Sequence, residues 1–322
     1  MPRRFGPTFE ICRLAESVGF DFVAMGHHRF TPGEDGAASP IVLLSAIAAQ
    51  TTTLRLSSAV FLFPLYPALD VAEQIATLDQ ISDGRTMLSF GLGYRPYEYE
   101  LAGLSYGARG SRMEEGVQIL KQAWTQERVY FEGRHYRIDG AAVAPRPVQQ
   151  PHPPIWLGGN AMAGIERAAR LADGWMIDTT KSLESARRRS AHYRSSAAAL
   201  GRDSQVCLVR QIGIGPTRAY VEEVWLPDMA RQLQHVYDAG GSFTGAEELM
   251  TKLRSGEPLD LDEFTGDRDI AGTPVECVTQ IRAFEDATGC EYLCGIFGDS
   301  PSFDTLAASL ELFGHQVIPQ FA

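Results

Sequence analysis

His27 and His28 end an apolar stretch in Gly26-His27-His28-Arg29-Phe30. Imidazole, with an ordinary pKa near ~6.5, trades protons at neutral pH, so acid–base chemistry is the first expectation here. Adjacent residues of a strand point to opposite faces, so at most one of the pair turns toward a common site. The other reading for either ring is a structural, hydrogen-bonded histidine. No third ligand stands at a spacing that would make the pair a metal site. A second set lies in Asp79–Gly103, DQISDGRTMLSFGLGYRPYEYELAG. Asp83-Gly84 is a turn signal, and Thr86–Phe90 is an apolar run of strand length. Gly91 and Gly93 then leave bare backbone for a close approach, with Tyr94, Arg95, Tyr97 and Tyr99 directly after. Aromatic planes, a fixed cation and bare backbone at a strand end suit a flat, anionic cofactor; a plain strand-to-helix loop with surface tyrosines would look the same.

Two further stretches have the right residue types. Trp156-Leu157-Gly158-Gly159-Asn160-Ala161 runs from a strand through two glycines into a helix, where free backbone N–H groups suit a phosphate. A Gly-Gly turn is common, and the chain contains no GxGxxG dinucleotide fingerprint. In Leu56–Pro64, LSSAVFLFP, the small residues Ser57, Ser58 and Ala59 could let a planar ligand lie on backbone, or could pack beneath a helix.

The elements that must place these residues alternate along the chain. Strands are expected over 20–26, 54–63, 86–93, 155–158, 175–177, 206–214 and 292–297. Helices are expected over 9–18, 41–50, 68–81, 111–126, 161–171, 183–200, 219–237, 274–288 and 303–313. Met113, Val117, Leu120 and Trp124 form an apolar face on the fourth of these helices. Near-continuous apolar strands between amphipathic helices imply an α/β fold with a covered parallel sheet. The length suits one (β/α)8 TIM barrel over 1–322, whose active site would sit at the C-terminal strand ends. A helix comes first, so the first strand is expected to be truncated or reduced to an irregular Arg3–Pro7. Val129–Pro154 reads as a hairpin and a proline-rich extended run. The long stretch 238–270 reads as a mobile, lid-like insertion.

Composition narrows the class. Hydrophobic residues make 44% and charged residues 21% of 322, as in soluble globular proteins. The net charge, 29 − 40 = −11, argues against nucleic acid and against anionic membrane surfaces as partners. No apolar run reaches the roughly 18 residues of a membrane span. The N-terminal stretch lacks the continuous apolar core of a signal peptide. Cys12, Cys207, Cys277, Cys290 and Cys294 are odd in number and lack CxxC spacing, so reduced thiols and a cytoplasmic location are expected, with no metal.

Read together, these segments resemble the bacterial-luciferase-like flavin-dependent oxidoreductases. The resemblance runs through AESVGFDFVAMGHHRFTP, LSSAVFLFPLYP, AEQIATLDQISDGR and FGLGYRPYEYELAG. It continues in WTQERVYFEGRHYRIDG, PRPVQQPHPPIWLGGN, RAARLADGW and IAGTPVECVTQI, and is weakest over 238–269. It implies a barrel that binds reduced FMN, or in sister groups a deazaflavin coenzyme, at the C-terminal strand ends. A homodimer and a separate flavin reductase as partner are implied too. His28 matches the family histidine that assists the oxygen chemistry of the flavin, and Ala59-Val60 matches a non-prolyl cis peptide beneath the flavin ring. The implied cofactor contacts are Ser58, Ala59, Val60, Gly93, Tyr94, Arg95, Gly158, Gly159, Asn160 and Ala161; His27, Phe61 and Tyr97 fall on the substrate side.

Departures from the family pattern bear on affinity. His27 stands where a Glu is common, and Arg29 replaces a second His. Leu92 replaces an Arg that holds the flavin phosphate, and Ala161 and Gly164 replace hydroxyl residues there. Arg95 or the amides of 159–162 are the available substitutes. The leading expectation is a monooxygenase acting on a small, apolar organic substrate. The alternatives are a deazaflavin-dependent dehydrogenase or reductase, a flavin-binding protein without turnover, and an unrelated barrel hydrolase, for which no paired-carboxylate set is evident.

Overall fold

The computed structural model describes residues 5–30, 39–238, 247–257, 259–298 and 302–321. They fall into two compact units: the described residues of 1–16, 21–175 and 196–204, and those of 17–20, 176–195 and 205–322. Each is α/β with parallel strands, apart from one antiparallel hairpin in the first.

In the first unit the order is α1 (Gly6–Ser17), β1 (Phe22–Met25), α2 (Pro40–Ala48), β2 (Arg55–Ser58), α3 (Ala68–Ile81), β3 (Leu88–Phe90) and α4 (Pro96–Leu101). There follow α5 (Arg109–Thr125), the hairpin β4 (Val129–Glu132) and β5 (Arg137–Ala141), β6 (Ile155–Gly158) and α6 (Met162–Leu171). The strand β7 (Gly174–Ile177) leads the chain onward. The opening strand expected at Arg3–Pro7 is replaced, within the described residues, by helix from Gly6; residues 1–4 lie outside them. β1 and β2 pair in parallel, Phe22 against Arg55 through Met25 against Ser58. β2 and its extension bridge to the third strand at Leu56–Thr86 and Phe61–Phe90, and β3 pairs with β6 from Leu88–Ile155 to Phe90–Leu157. Four chain segments thus run side by side in one direction.

Glu16 sets the entry to β2. Its Oε1 accepts the N–H groups of Thr52, Thr53 and Leu54 at 2.6–2.9 Å, ending α1 and starting the strand with one carboxylate. The expected face of α5 is buried at Met113, Val117, Leu120 and Trp124. Each such side chain contributes about 1.5–3 kcal/mol, and the Trp124 indole N–H donates to Ala72 O at 3.0 Å to fix α5 on α3. The expected strand over 54–63 stops at Ser58, because the Ala59–Val60 peptide is cis and a 3-10 turn follows at Phe63–Leu65.

In the second unit come α7 (Leu183–Ala198), β8 (Gln205–Ile214), α8 (Arg218–Tyr220), a π-helical turn at Val221–Trp225, and α9 (Leu226–Asp238). After them stand α10 (Glu247–Ser255), α11 (Leu261–Thr265), β9 (Ile270–Gly272), α12 (Pro274–Thr288), β10 (Tyr292–Ile296) and α13 (Phe303–Gln316). β8 pairs in parallel with β10 and, further along, with β9. A capping box between Thr273 and Glu276 starts α12, and Gly289 at φ 63 ends it. The stretch 238–270 is helical in part. Its described part holds α10 and α11, and Leu249, Met250, Leu261 and Phe264 are buried with Trp225 and Met229. Residues 239–246 and 258 of that stretch lie outside the described residues.

All five cysteines are free. No described helix is long and apolar enough to cross a membrane.

Candidate active site

The ends of β1, β2, β3 and β6 lie on one edge of the first unit, and each is followed by one of the stretches singled out in the sequence. Backbone hydrogen bonds hold them together: Ala59 N–H donates to Met25 O, Phe61 N–H to Ser89 O, and Gly91 N–H to Phe61 O, at 2.8–3.0 Å.

The two histidines lie just past the end of β1 and meet different surroundings. His27 is 3% exposed. Its Nδ1 accepts the Leu62 N–H at 3.0 Å and its Nε2 lies 3.0 Å from the Tyr66 hydroxyl. With Nδ1 accepting, the neutral ring has its proton on Nε2 and donates it to Tyr66. Phe61 stacks on this ring at 4.9 Å. Both nitrogens are thereby engaged within the protein.

His28 is turned the other way, with its side chain 25% exposed and its edge toward the Tyr94 ring at 5.7 Å and 83°. Its Nδ1 sits 3.5 Å from Glu98 Oε1. Glu98, on α4, is fully buried; its Oε1 accepts the Arg29 N–H at 2.7 Å, and its Oε2 has no hydrogen-bond partner. A buried carboxylate beside an accessible imidazole is an arrangement suited to proton transfer. In Tyr97-Glu98-Tyr99 the tyrosines stand out in the sequence and Glu98 does not. The signal was an acid placed one turn past Gly93, in the first turn of a short helix opened by Pro96.

Val60 explains two of the glycines. A Cβ at Gly91 would lie 2.1 Å from Val60 Cγ2, and one at Gly158 3.0 Å from Val60 Cγ1. The bare backbone at these positions therefore receives Val60 itself, wedged between two strand ends. Gly91→Ala forces this contact apart and is expected to cost about 1–3 kcal/mol, read as a lower urea midpoint. An unchanged midpoint would remove the wedge from the account.

Ser58 braces the strands, its hydroxyl donating to Ser89 O at 2.8 Å, whereas the buried Ser57 Oγ has no hydrogen-bond partner. Gly93 adopts φ 73, a conformation that needs glycine. Tyr94 and Tyr97 are exposed, and Arg95 is buried with its guanidinium 5.4 Å from the Tyr94 ring and Nη1 3.4 Å from the Tyr97 hydroxyl. The Leu92 carbonyl accepts from the buried Tyr99 hydroxyl. At the end of β6, the Trp175 indole donates to Gly159 O at 2.9 Å, and a Cβ at Gly159 would meet Gly164 Cα, in the first turn of α6, at 3.4 Å. The N-cap of that helix, Ala161, offers no side-chain acceptor, and its first turn holds no acid. Its leading amides therefore suit an external anion.

The luciferase-like monooxygenase family model matches residues 2–290. The chain belongs to this family. One luciferase-like relative, the FMNH(2)-dependent dimethylsulfone monooxygenase of Pseudomonas putida, is 33% identical over 60% of the chain; the match spans about half of that protein, 53% of its length. The F420-dependent glucose-6-phosphate dehydrogenase of Nakamurella multipartita is 27% identical over 98% of the chain and 93% of its own. The crystal structure of monooxygenase RslO1 from Streptomyces bottropensis superposes with a TM-score of 0.81 at 26% identity, covering 99% of this chain and 94% of that one. The luciferase-like family thus holds both FMNH2-dependent monooxygenases and F420-dependent oxidoreductases. Among the described residues no group of three or more His, Cys, Asp or Glu is placed to hold a metal ion.

Proposed function

We propose that the chain is a flavin-dependent monooxygenase that uses reduced FMN and dioxygen to oxidise a small organic substrate with an apolar body. The observation that supports this best is the pairing of His28 with buried Glu98 at the same edge as the cis Ala59–Val60 peptide and the Gly158-Gly159 turn. Ser58, Ala59, Val60 and Gly93 would border the flavin ring; Arg95, Tyr94, Gly158, Gly159, Asn160 and Ala161 would hold its ribityl phosphate. The reduced flavin supplies the electrons that activate dioxygen. His28 holds or delivers a proton at Nε2, Glu98 faces Nδ1 at 3.5 Å without a hydrogen bond in the resting chain, and Phe61 and Tyr97 bound the apolar space. His27 acts from behind, fixing Leu62 and Tyr66.

We place this chemistry in a (β/α)8 barrel acting as a cytoplasmic homodimer. Part of 238–270 would serve as its lid, and a flavin reductase would supply the cofactor.

Oxygen-18 from dioxygen appearing in an added small sulfone or ketone, with reduced FMN supplied, is the expected result. FMN binding without any product would instead mark a flavin-binding protein. The second reading, a deazaflavin-dependent dehydrogenase, is favoured by the near-full-length match to the F420-dependent enzyme. Turnover unaffected by strict anaerobiosis would select it.

FMN should bind weakly. Leu92 supplies no charge, and Ala161 supplies no hydroxyl. Each lost charge-assisted bond is worth about 1.5–3 kcal/mol, or roughly 10- to 100-fold in affinity. Titration calorimetry should give a Kd above about 1 µM; submicromolar binding to the purified chain would contradict this.

A further inference from the structure

We propose that His27 is an acid-operated catch behind the candidate site: a proton from solvent bound at its Nδ1 breaks the hydrogen bond from Leu62 and loosens the turn that carries Leu62 and Tyr66. The proposal goes beyond the monooxygenase reading and does not depend on it.

Hydrogen bonding fixes which nitrogen takes the added proton. A main-chain N–H can only donate, and that of Leu62 donates to His27 Nδ1 at 3.0 Å. Nδ1 is therefore the bare nitrogen, and the neutral ring has its proton on Nε2, 3.0 Å from the Tyr66 hydroxyl. A second proton must go to Nδ1. It would set one N–H against another and leave the buried Leu62 amide without its acceptor.

The ring holds the turn at both ends. Leu62 stands just before the 3-10 turn Phe63–Leu65, and Tyr66 just after it. Phe61 and Tyr66 pack on the imidazole with ring centres at 4.9 and 5.7 Å, and stack on each other at 4.8 Å. Phe61 has its own anchors, its N–H donating to Ser89 O and its carbonyl accepting from Gly91, and Pro64 O accepts from Arg112 Nε at 2.9 Å. His27 therefore governs Leu62 and Tyr66 in particular. The guanidinium of Arg29, next to His28 in the chain, lies 4.8 Å from the Tyr66 ring, so loosening Tyr66 reaches the acid–base pair.

The surrounding charges give an added proton little support. Tyr66, which faces Nε2, is a neutral phenol: burial pushes its pKa up, Arg29 pulls it down and Glu98 raises it. Arg29 from the end of β1 and Arg112 from α5 both bring positive charge to the turn. Glu98 on α4 is the carboxylate that acts on Tyr66, and its Oε1 already accepts the Arg29 N–H and lies 3.5 Å from His28 Nδ1. His27 is only 3% exposed, so water does not compensate. The held turn thus carries fewer protons than the loosened one. Its stability rises with pH and is lost as pH falls below the ordinary imidazole value of about 6.5, by up to roughly tenfold per pH unit.

Hydrogen exchange of the full chain, read by mass spectrometry and corrected for intrinsic rates, tests this. Protection of 61–66 should be level above about pH 6.5 and fall roughly 10- to 30-fold by about pH 5, while the buried face of α5 stays protected. His27→Asn places an oxygen near the position of Nδ1 that accepts the Leu62 N–H and takes no proton, so its fall should stay below about threefold. A wild type without the fall, or an equal fall in His27→Asn, overturns the proposal. So does a fall shared by α5, which would mark general acid unfolding. A further measurement needs no variant: nitrogen-15 NMR of the histidine-labelled chain near neutral pH should show a neutral His27 ring with bare Nδ1, and a proton on Nδ1 there would also overturn it. None of these readouts requires flavin or turnover, so failure of the monooxygenase reading would show separately, as absence of oxygen-18 in a product.

Discussion

His28→Ala should lower product formation by about 100- to 10,000-fold, the range of a positioned acid–base group. Its thermal midpoint should stay close to that of the wild type. The expectation rests on how the two neighbouring histidines are used. His28 keeps an accessible ring whose Nδ1 faces a buried carboxylate, leaving Nε2 as the nitrogen that can meet a ligand. Among the described residues its ring meets Glu98 and the exposed Tyr94. His27 is the opposite case. Removing its imidazole strands the Leu62 N–H in a buried place and takes away the ring that stacks on Phe61. An unsatisfied buried donor costs about 1–3 kcal/mol. His27→Ala should therefore lower the melting temperature and disturb activity only through that loss. Rates measured with saturating reduced FMN, beside melting curves of both variants, test the division. A His28→Ala enzyme working within threefold of wild type would sink the assignment.

The sequence pattern disclosed the strand ends more faithfully than what fills them. Each stretch marked by glycines or adjacent histidines does lie after β1, β2, β3 or β6, because apolar runs and Gly punctuation follow directly from what a buried parallel strand and its turn require. The occupants of the bare backbone were not legible in the same way. Gly91 reads as bare backbone for a close approach, and what comes close is Val60, 31 positions away, which also reaches Gly158 a further 67 positions on. Such a long-range contact leaves no local periodicity. The same holds for Glu98: its partners are the Arg29 N–H and His28, both about 70 positions earlier in the chain. β9 went unseen for a different reason. Ile270-Ala271-Gly272 is three residues long, too short for alternation to register, and its partner Ile212–Ile214 lies on the far side of the most irregular stretch.

Glu98 gives the second large effect, and its two natural substitutions should separate charge from scaffold. Glu98→Gln keeps an oxygen that can accept the Arg29 N–H, so the fold should survive, but the neutral amide no longer draws a proton onto His28 Nδ1. Turnover should fall about 10- to 100-fold, or roughly 1.4–2.7 kcal/mol of transition-state stabilisation. KM should change little, since Glu98 is buried and meets no substrate. Glu98→Ala removes the acceptor altogether. The part-buried Arg29 N–H then loses the carboxylate it donates to, and the urea midpoint should fall by the equivalent of about 1–3 kcal/mol. Because alanine also leaves a hole the size of a carboxyl group, added formate should restore part of its turnover, whereas the Gln variant, with that space filled, should not respond. A purely structural Glu98 would give the reverse ranking: Gln close to wild type in rate, Ala unstable and indifferent to formate. The rescue works only if the lost carboxylate acts on His28, so it ties the catalytic role to the 3.5 Å contact between the two side chains.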